Sequence, residues 1–252
     1  MADYRFIRLS AALLLVGLVL TIAAQVPHPV GSSLANVDAF TAYAATSVEF
    51  YAAIHLVQFT GEALLMLGLL VLFFGLNLSA GMARLVGMLG AVSAGAALAL
   101  SAVVTAVDAV ALKQAIDAWA SAPAAEKAAR FASAEAIRWL EWGITAYWSF
   151  VMGLALVLLG IVVAFTARVP RPVGLSMGAS GLATIVTGWF TASTGFGGAA
   201  VPPTLLSFGC VFAFAMWLLI VSWTMNVADR PEVRSPAHAD EGVRLTPAGR
   251  ER

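Results

Sequence analysis

Charge is scarce in this chain. Only 11% of its 252 residues are Asp, Glu, Lys or Arg, against 61% that are apolar, whereas a water-soluble domain carries roughly a quarter charged and about half apolar. That balance excludes a soluble fold. Net charge is absent as well, since 14 basic residues oppose 14 acidic ones. The chain therefore lacks the basic footprint that neutralises nucleic-acid phosphates, and nucleic acid is not an expected partner. Cysteine is almost missing: Cys210 stands alone in an apolar run and can form neither an intrachain disulfide nor a zinc cluster. No HExxH motif, Gly-rich phosphate loop or nucleophile elbow occurs, so no cofactor is expected from motifs.

Long apolar runs are what the sequence does contain. A helix needs about 20 apolar residues to cross the hydrocarbon core, and six stretches supply them, at 7–26, 50–76, 85–107, 143–166, 173–191 and 204–225. The runs are continuously apolar rather than alternating, which argues against barrel strands. The expected fold is all-α, a polytopic membrane protein of six transmembrane helices with the lipid bilayer as its solvent. Residues 1–226 form the bundle.

Basic residues orient it. Arg5 and Arg8 precede the first span, Arg84 follows the second, Arg168 and Arg171 follow the fourth, and five Arg follow the sixth. With both termini cytoplasmic, all of these lie inside; only Lys113, Lys127, Arg130 and Arg138 fall in an outer segment. An alternative for the first span is a cleaved signal peptide, because Arg5 and Arg8 precede an apolar run ending in Ala23 and Ala24. The aromatic residues Trp139, Trp142, Tyr147 and Trp148 gather near the outer end of the fourth span and fit an anchoring belt.

Three segments lie outside the spans. Residues 27–48 begin Pro27, His28, Pro29 and suggest a long turn-rich loop with an exposed His28. Residues about 108–142 suggest an outer helical hairpin that continues the third span, breaks at Ser121, Ala122 and Pro123, and runs into the fourth. Lys113 with Asp117 and Glu126 with Arg130 stand at i,i+4 there, as on solvated helix faces. Residues 227–252 are polar and Pro-bearing and read as a disordered cytoplasmic tail.

Small residues recur at helical spacing, as in Gly61, Gly68 and Gly75, then Gly87, Ala91 and Gly95, then Gly174, Gly178 and Gly181, which predicts close helix packing in lipid. Arg84, Val86 and Gly87 match Arg171, Val173 and Gly174 at an offset of 87 residues. A duplicated helical hairpin and convergent apolar sequence both account for so short a match.

The second span carries the informative polar residues. Tyr51, His55, Gln58 and Glu62 stand at i, i+4, i+7 and i+11 and share one helix face. Glu62 falls near mid-span, where an ionised group costs about 2.5 kcal/mol or more, so it should face the bundle and be paired or protonated. His55 lies about 10 Å away along the axis, with Gln58 between them. Ser101, Thr105 and Asp108 on the third span, and Arg138, Glu141, Thr145 and Trp148 on the fourth, also keep helical spacing. If these three helices are neighbours they enclose a cavity in the outer half of the bundle, with Glu62 below and Asp108, Arg138 and Glu141 above. The bland alternative makes Arg138 and Glu141 an interfacial ion pair, Asp108 a hydrated helix-end charge, and Ser101, Thr105 and Thr145 hydroxyls bonded to their own helix. Paired-histidine haem ligation needs a partner for His55, and His28 is a poor candidate. A metal site from His55, Glu62, Asp108 and Glu141 carries no spacing signature, so no metal is expected.

The run His55, Gly61, Glu62, Leu65, Gly68, Leu70, followed by a Gly-rich third span ending Val107, Asp108, Ala109, Val110, Ala111, Leu112, resembles uncharacterised six-helix membrane proteins of actinobacterial type. Twelve Arg to two Lys is consistent with such a source. The resemblance covers residues 5–225 and implies the topology and a bacterial plasma membrane, with no activity to carry onto any residue.

Three functions are expected in descending order. The first is binding or passing a small hydrophobic or lipidic ligand in the outer half, with Tyr51, His55, Gln58, Glu62, Thr105, Asp108, Arg138, Glu141 and Trp148 as contacts. The second is an intramembrane cyclase or isomerase in which Glu62 donates a proton and Asp108 or Glu141 accepts one. The third is an accessory subunit that only packs against a partner, or a homo-oligomer.

Overall fold

A computed structural model of the chain describes residues 3–28, 35–166 and 169–228. No strand occurs among them, and the elements in order are α1 (Tyr4–Gln25), α2 (Asn36–Ala44), α3 (Val48–Gly75), α4 (Gly81–Ala106), a π-helical turn (Val107–Leu112), α5 (Lys113–Ala120), α6 (Lys127–Phe165), α7 (Arg171–Thr194), a short 3-10 turn (Gly198–Ala200) and α8 (Val201–Ala228). α4, the π turn and α5 form one continuous helix, Gly81–Ala120, and six helices in all are long and apolar enough to cross a membrane. The chain is a multi-pass all-α membrane protein.

Local chemistry sets the helix ends. Asp3 caps α1 by accepting from the Arg5 N–H at 2.9 Å, and Ser47 caps α3 by accepting from the Phe50 N–H at 3.3 Å, each satisfying an end donor that the helix itself leaves open. α3 ends at a turn in which Asn77 and Gly81 both take positive φ, 45° and 83°, and Gly81 does so without a Cβ penalty.

The six spans are arranged as a ring in chain order. α1 packs on α3, α3 on α4, α4 on α6, α6 on α7 and α7 on α8, and α8 closes against α1. The interior is filled by buried side chains such as Leu14, Met66, Leu69, Leu156, Met177 and Phe214. Glycine lets two of the pairs approach closely. A Cβ on Gly61 would stand 2.8 Å from the Gly17 carbonyl oxygen of α1, and one on Gly181 would stand 2.6 Å from the Gly153 oxygen of α6. Hydroxyls join other pairs. Ser10 donates to the Gly68 carbonyl at 2.7 Å, tying α1 to α3, while Ser207 of α8 lies 3.0 Å from Ser180 and 2.8 Å from Thr184 of α7. Such bonds act as glue where lipid supplies no hydrophobic drive between helices.

Residues 36–44, expected within a loop, are helical instead. Ala39, Phe40 and Tyr43 fall on one face of α2 and are buried with Leu112, Ile116 and Ala134 from the π turn, α5 and α6. This second apolar cluster sits at the end of the bundle opposite the N-terminus of α1. It supplies tertiary burial that the polar, short segment could not signal locally. The expected chain break does occur: α5 ends at Ala120, Ser121 follows as its cap, and α6 begins at Lys127 and packs back on α5. The expected disordered tail lies outside the described residues from position 229 onward, and α8 continues through Ala228.

Candidate functional site

The π turn places the central residue. A π-helical turn accommodates an extra residue, shifts the register of the helix beyond it, and frequently marks functional positions. Here it begins at Val107, and Asp108 is its second residue. The Asp108 carboxylate reaches α3, where Oδ1 accepts from the Tyr51 hydroxyl at 2.6 Å and Oδ2 lies 2.8 Å from His55 Nε2. His55 Nδ1 lies 2.7 Å from the Tyr51 carbonyl oxygen one turn earlier. That oxygen can only accept, so Nδ1 carries a proton.

A second histidine joins them. His28, in the segment after α1, has its Nε2 3.3 Å from His55 Nε2, and its ring meets Tyr43, Tyr51 and His55 with centroid separations of 5.9, 5.9 and 5.1 Å. The expectation of an exposed His28 is thereby corrected, because α2 brings Tyr43 over the residue and α3 brings Tyr51 and His55 beside it. His55 is 2% exposed and the Asp108 side chain 13%.

Glu62 belongs to a separate cluster deeper along α3. Ser101 of α4 donates to Oε2 and Gln58 donates to Oε1 at 3.2 Å. The carboxylate thus links α3 to α4, and Ser101 serves this link rather than bonding its own helix. Thr105 does bond its own helix, donating to the Ser101 carbonyl at 2.9 Å.

The α6 residues form the third group. Arg138, Glu141, Trp142, Thr145 and Trp148 share one face of α6 by their spacing. Arg138 is 1% exposed and Glu141 5%, so both are enclosed by protein. The guanidinium carbon of Arg138 lies 5.7 Å from the Phe40 ring, 5.6 Å from Tyr43 and 5.5 Å from Trp142, a set of cation–π contacts that holds α2 to α6. Burial pushes the Tyr43 hydroxyl up to about 12, opposed by the adjoining Arg138 charge, and Tyr43 therefore stays a hydrogen-bond donor at neutral pH. Glu141 stands close enough to Asp108 for their charges to interact. Trp139 and Tyr147, by contrast, are 58% and 67% exposed, as a belt requires.

Three polar atoms on this face are distinctive. Trp142 Nε1, Thr145 Oγ1 and Trp148 Nε1 are buried and have no hydrogen-bond partner among the described residues. The expected bond from Thr145 to its own helix is not formed. Each such group costs about 1–3 kcal/mol when left unsatisfied, and they span about 9 Å of the helix axis.

Two ion pairs expected on solvated faces differ. Arg130 does pair with Glu126, at 3.2 Å with both about half exposed, but Lys113 is 2% exposed and pairs with Asp117 at 2.5 Å.

The structure therefore brings Tyr51, His55 and Asp108 into direct contact, sets Glu141 beside them, and keeps Gln58 and Glu62 in a cluster of their own. His28, Tyr43 and Trp142 join the site without being expected there. Of these, only His28 carried a signal, as the one other histidine of the described residues besides His55, while the contact of the two depends on a fold that closes 27 residues. No family model, curated protein or solved structure matches the chain.

Proposed function

We propose that this protein binds a small, mainly hydrophobic ligand between the π turn and α6, at the α2/α5 end of the bundle, with a hydrogen-bond-accepting head on the ligand. The observation that carries the proposal is the row of buried, unpartnered Trp142 Nε1, Thr145 Oγ1 and Trp148 Nε1. Indole N–H groups can only donate, so the matching ligand offers acceptor oxygens, such as those of a carbonyl, ether or phosphate. Arg138 favours a head that is polar or anionic. Asp108, Glu141, His55 and Tyr51 line the same end, while Gln58, Glu62 and Thr105 hold the helices that frame it. By the positive-inside rule this end faces outward across a bacterial plasma membrane, with Arg5, Arg8, Arg84 and Arg171 at the opposite end.

Thermal shift of the purified protein against a panel of lipids and isoprenoids tests the proposal, using Trp142→Phe and Thr145→Val. In the unliganded protein Thr145→Val removes an unsatisfied buried group and leaves stability unchanged or raises it, whereas Trp142→Phe removes one while also weakening the contact with Arg138. A ligand that stabilises wild type should stabilise the two variants less. If no panel member shifts wild type, or if all three proteins shift equally, water fills the row and the proposal fails.

A second reading rests on Asp108 and Glu141, the first 13% exposed at its side chain and the second 5% exposed, at the same end of the bundle. Two such carboxyls suit proton transfer in an intramembrane cyclase or isomerase, and conversion of a stabilising lipid by wild type but not Glu141→Gln would support it.

A further inference from the structure

The three side chains that meet at the α3 end of the π turn are a pair of imidazoles and a carboxylate, the donor set of many zinc and non-haem iron centres. We propose that His28 Nε2, His55 Nε2 and Asp108 Oδ2 bind a divalent transition-metal ion of the zinc class. The inference goes beyond ligand binding on α6 and does not depend on it.

Distances support the assignment. One ligand atom from each residue lies within 4.8 Å of the other two. A tetrahedral ion with bonds of about 2.0–2.2 Å keeps its ligand atoms about 3.3–3.6 Å apart. The two histidine nitrogens are 3.3 Å apart already, and His55 Nε2 and Asp108 Oδ2 are 2.8 Å apart. Seating the ion requires that the second contact open by about 0.5 Å and that the His28–Asp108 separation, within 4.8 Å, settle into the same range.

The proton positions lead to the same place. Because His55 Nδ1–H is committed to the Tyr51 carbonyl at 2.7 Å, neutral His55 turns a lone pair from Nε2 toward Asp108 Oδ2. Two lone pairs at that separation require a positive centre between them. A metal ion meets that need and takes a third lone pair from His28 in its Nδ1–H tautomer, where a proton would serve His55 and Asp108 alone.

The supporting shell is also in place. A ligating histidine is ordinarily oriented by a bond from its other nitrogen to a carbonyl, and a ligating carboxylate by a donor to its free oxygen. The Tyr51 residue provides both, with its carbonyl to His55 and its hydroxyl to Asp108 Oδ1 at 2.6 Å. Three protein ligands leave a further coordination position for water or for an acceptor oxygen of a bound molecule. Low exposure of His55 and Asp108 keeps competing water few.

Metal content of the full-length protein tests this. Protein purified in detergent is stripped with chelator, loaded with Zn2+ or Co2+, freed of excess ion, and assayed by mass spectrometry of the metal and by the Co2+ absorption bands. We expect about one ion per chain, bands of a four- or five-coordinate nitrogen and oxygen site, and a metal-dependent rise in melting temperature. His28→Gln, at the periphery of the bundle, should fold as wild type by circular dichroism and bind at least about 10-fold more weakly. Asp108→Asn should lose binding as well, and Tyr51→Phe should weaken it by about 10-fold. Glu62→Gln and His238→Ala, the latter at the third histidine of the sequence, in its C-terminal segment, should bind as wild type. No metal in loaded wild type overturns the proposal, as does unchanged binding by folded His28→Gln or binding lost only in His238→Ala.

Discussion

At the residue scale, the acid in the middle of the second span bridges α3 and α4, and the acid at the π turn meets a tyrosine and a histidine. Glu62 is 8% exposed and shared between Gln58 and Ser101. Ser101→Ala should therefore lower the melting temperature, by a bond worth about 0.6 kcal/mol and up to ~1.7 kcal/mol between membrane helices, without changing metal or ligand binding. Tyr43 makes a separate, pH-dependent contribution. Its folded-state value, about 12, exceeds the ordinary 10.0 because burial disfavours the phenolate. The folded state thus holds the proton more tightly, so this contribution is complete below about pH 10 and is lost as pH rises toward about 12. Melting temperature against pH should fall over that interval in wild type and fall less in Tyr43→Phe; identical profiles would show that the hydroxyl is not buried as described.

At the element scale, the spans were legible because a continuous apolar run has few alternatives in length or polarity: α1, α3, α4, α7 and α8 begin and end near their expected limits, while α6 starts at Lys127 because the segment before the fourth span runs into it as helix. α2 was not legible. Its nine residues bury only Ala39, Phe40 and Tyr43, and their partners Ile116 and Ala134 lie far along the chain. The π turn likewise has no compositional signature, yet it decides where Asp108 points. The face Tyr51, His55, Gln58, Glu62 was legible from spacing, but its division between Asp108 and Ser101 depended on the register of α4. Small-residue stripes were legible as a class and not residue by residue. Gly95 has nothing within 4 Å of an added Cβ, whereas Gly181 has the Gly153 oxygen at 2.6 Å. Gly95→Ala should be tolerated or gain up to about 1 kcal/mol from helix propensity. Gly181→Leu should separate α6 from α7 and abolish the monodisperse fold in size-exclusion chromatography. Equal behaviour of the two variants would contradict the packing.

At the scale of the whole molecule, a ring of six spans carries an extra layer at one end only. α2, α5 and the start of α6 enclose an apolar cluster of their own over the His28, His55 and Asp108 group, while the other end holds the short turn between α3 and α4. The proposed site lies at the capped end, where the buried Arg138 and Glu141 and the His55 and Asp108 pair gather, and the proposed orientation turns that end outward. Replacing Cys210 by Ser and placing a cysteine at the exposed Ser121 should give a protein labelled by an impermeant maleimide in intact cells; labelling only after lysis would reverse the orientation. The claim on which the rest depends is that this end holds a small molecule against α6. Native mass spectrometry of protein released from its own membranes measures this most directly. Wild type should carry a bound small molecule that the Trp142→Phe, Thr145→Val double variant lacks, and identical ligand-free spectra from both proteins would contradict it.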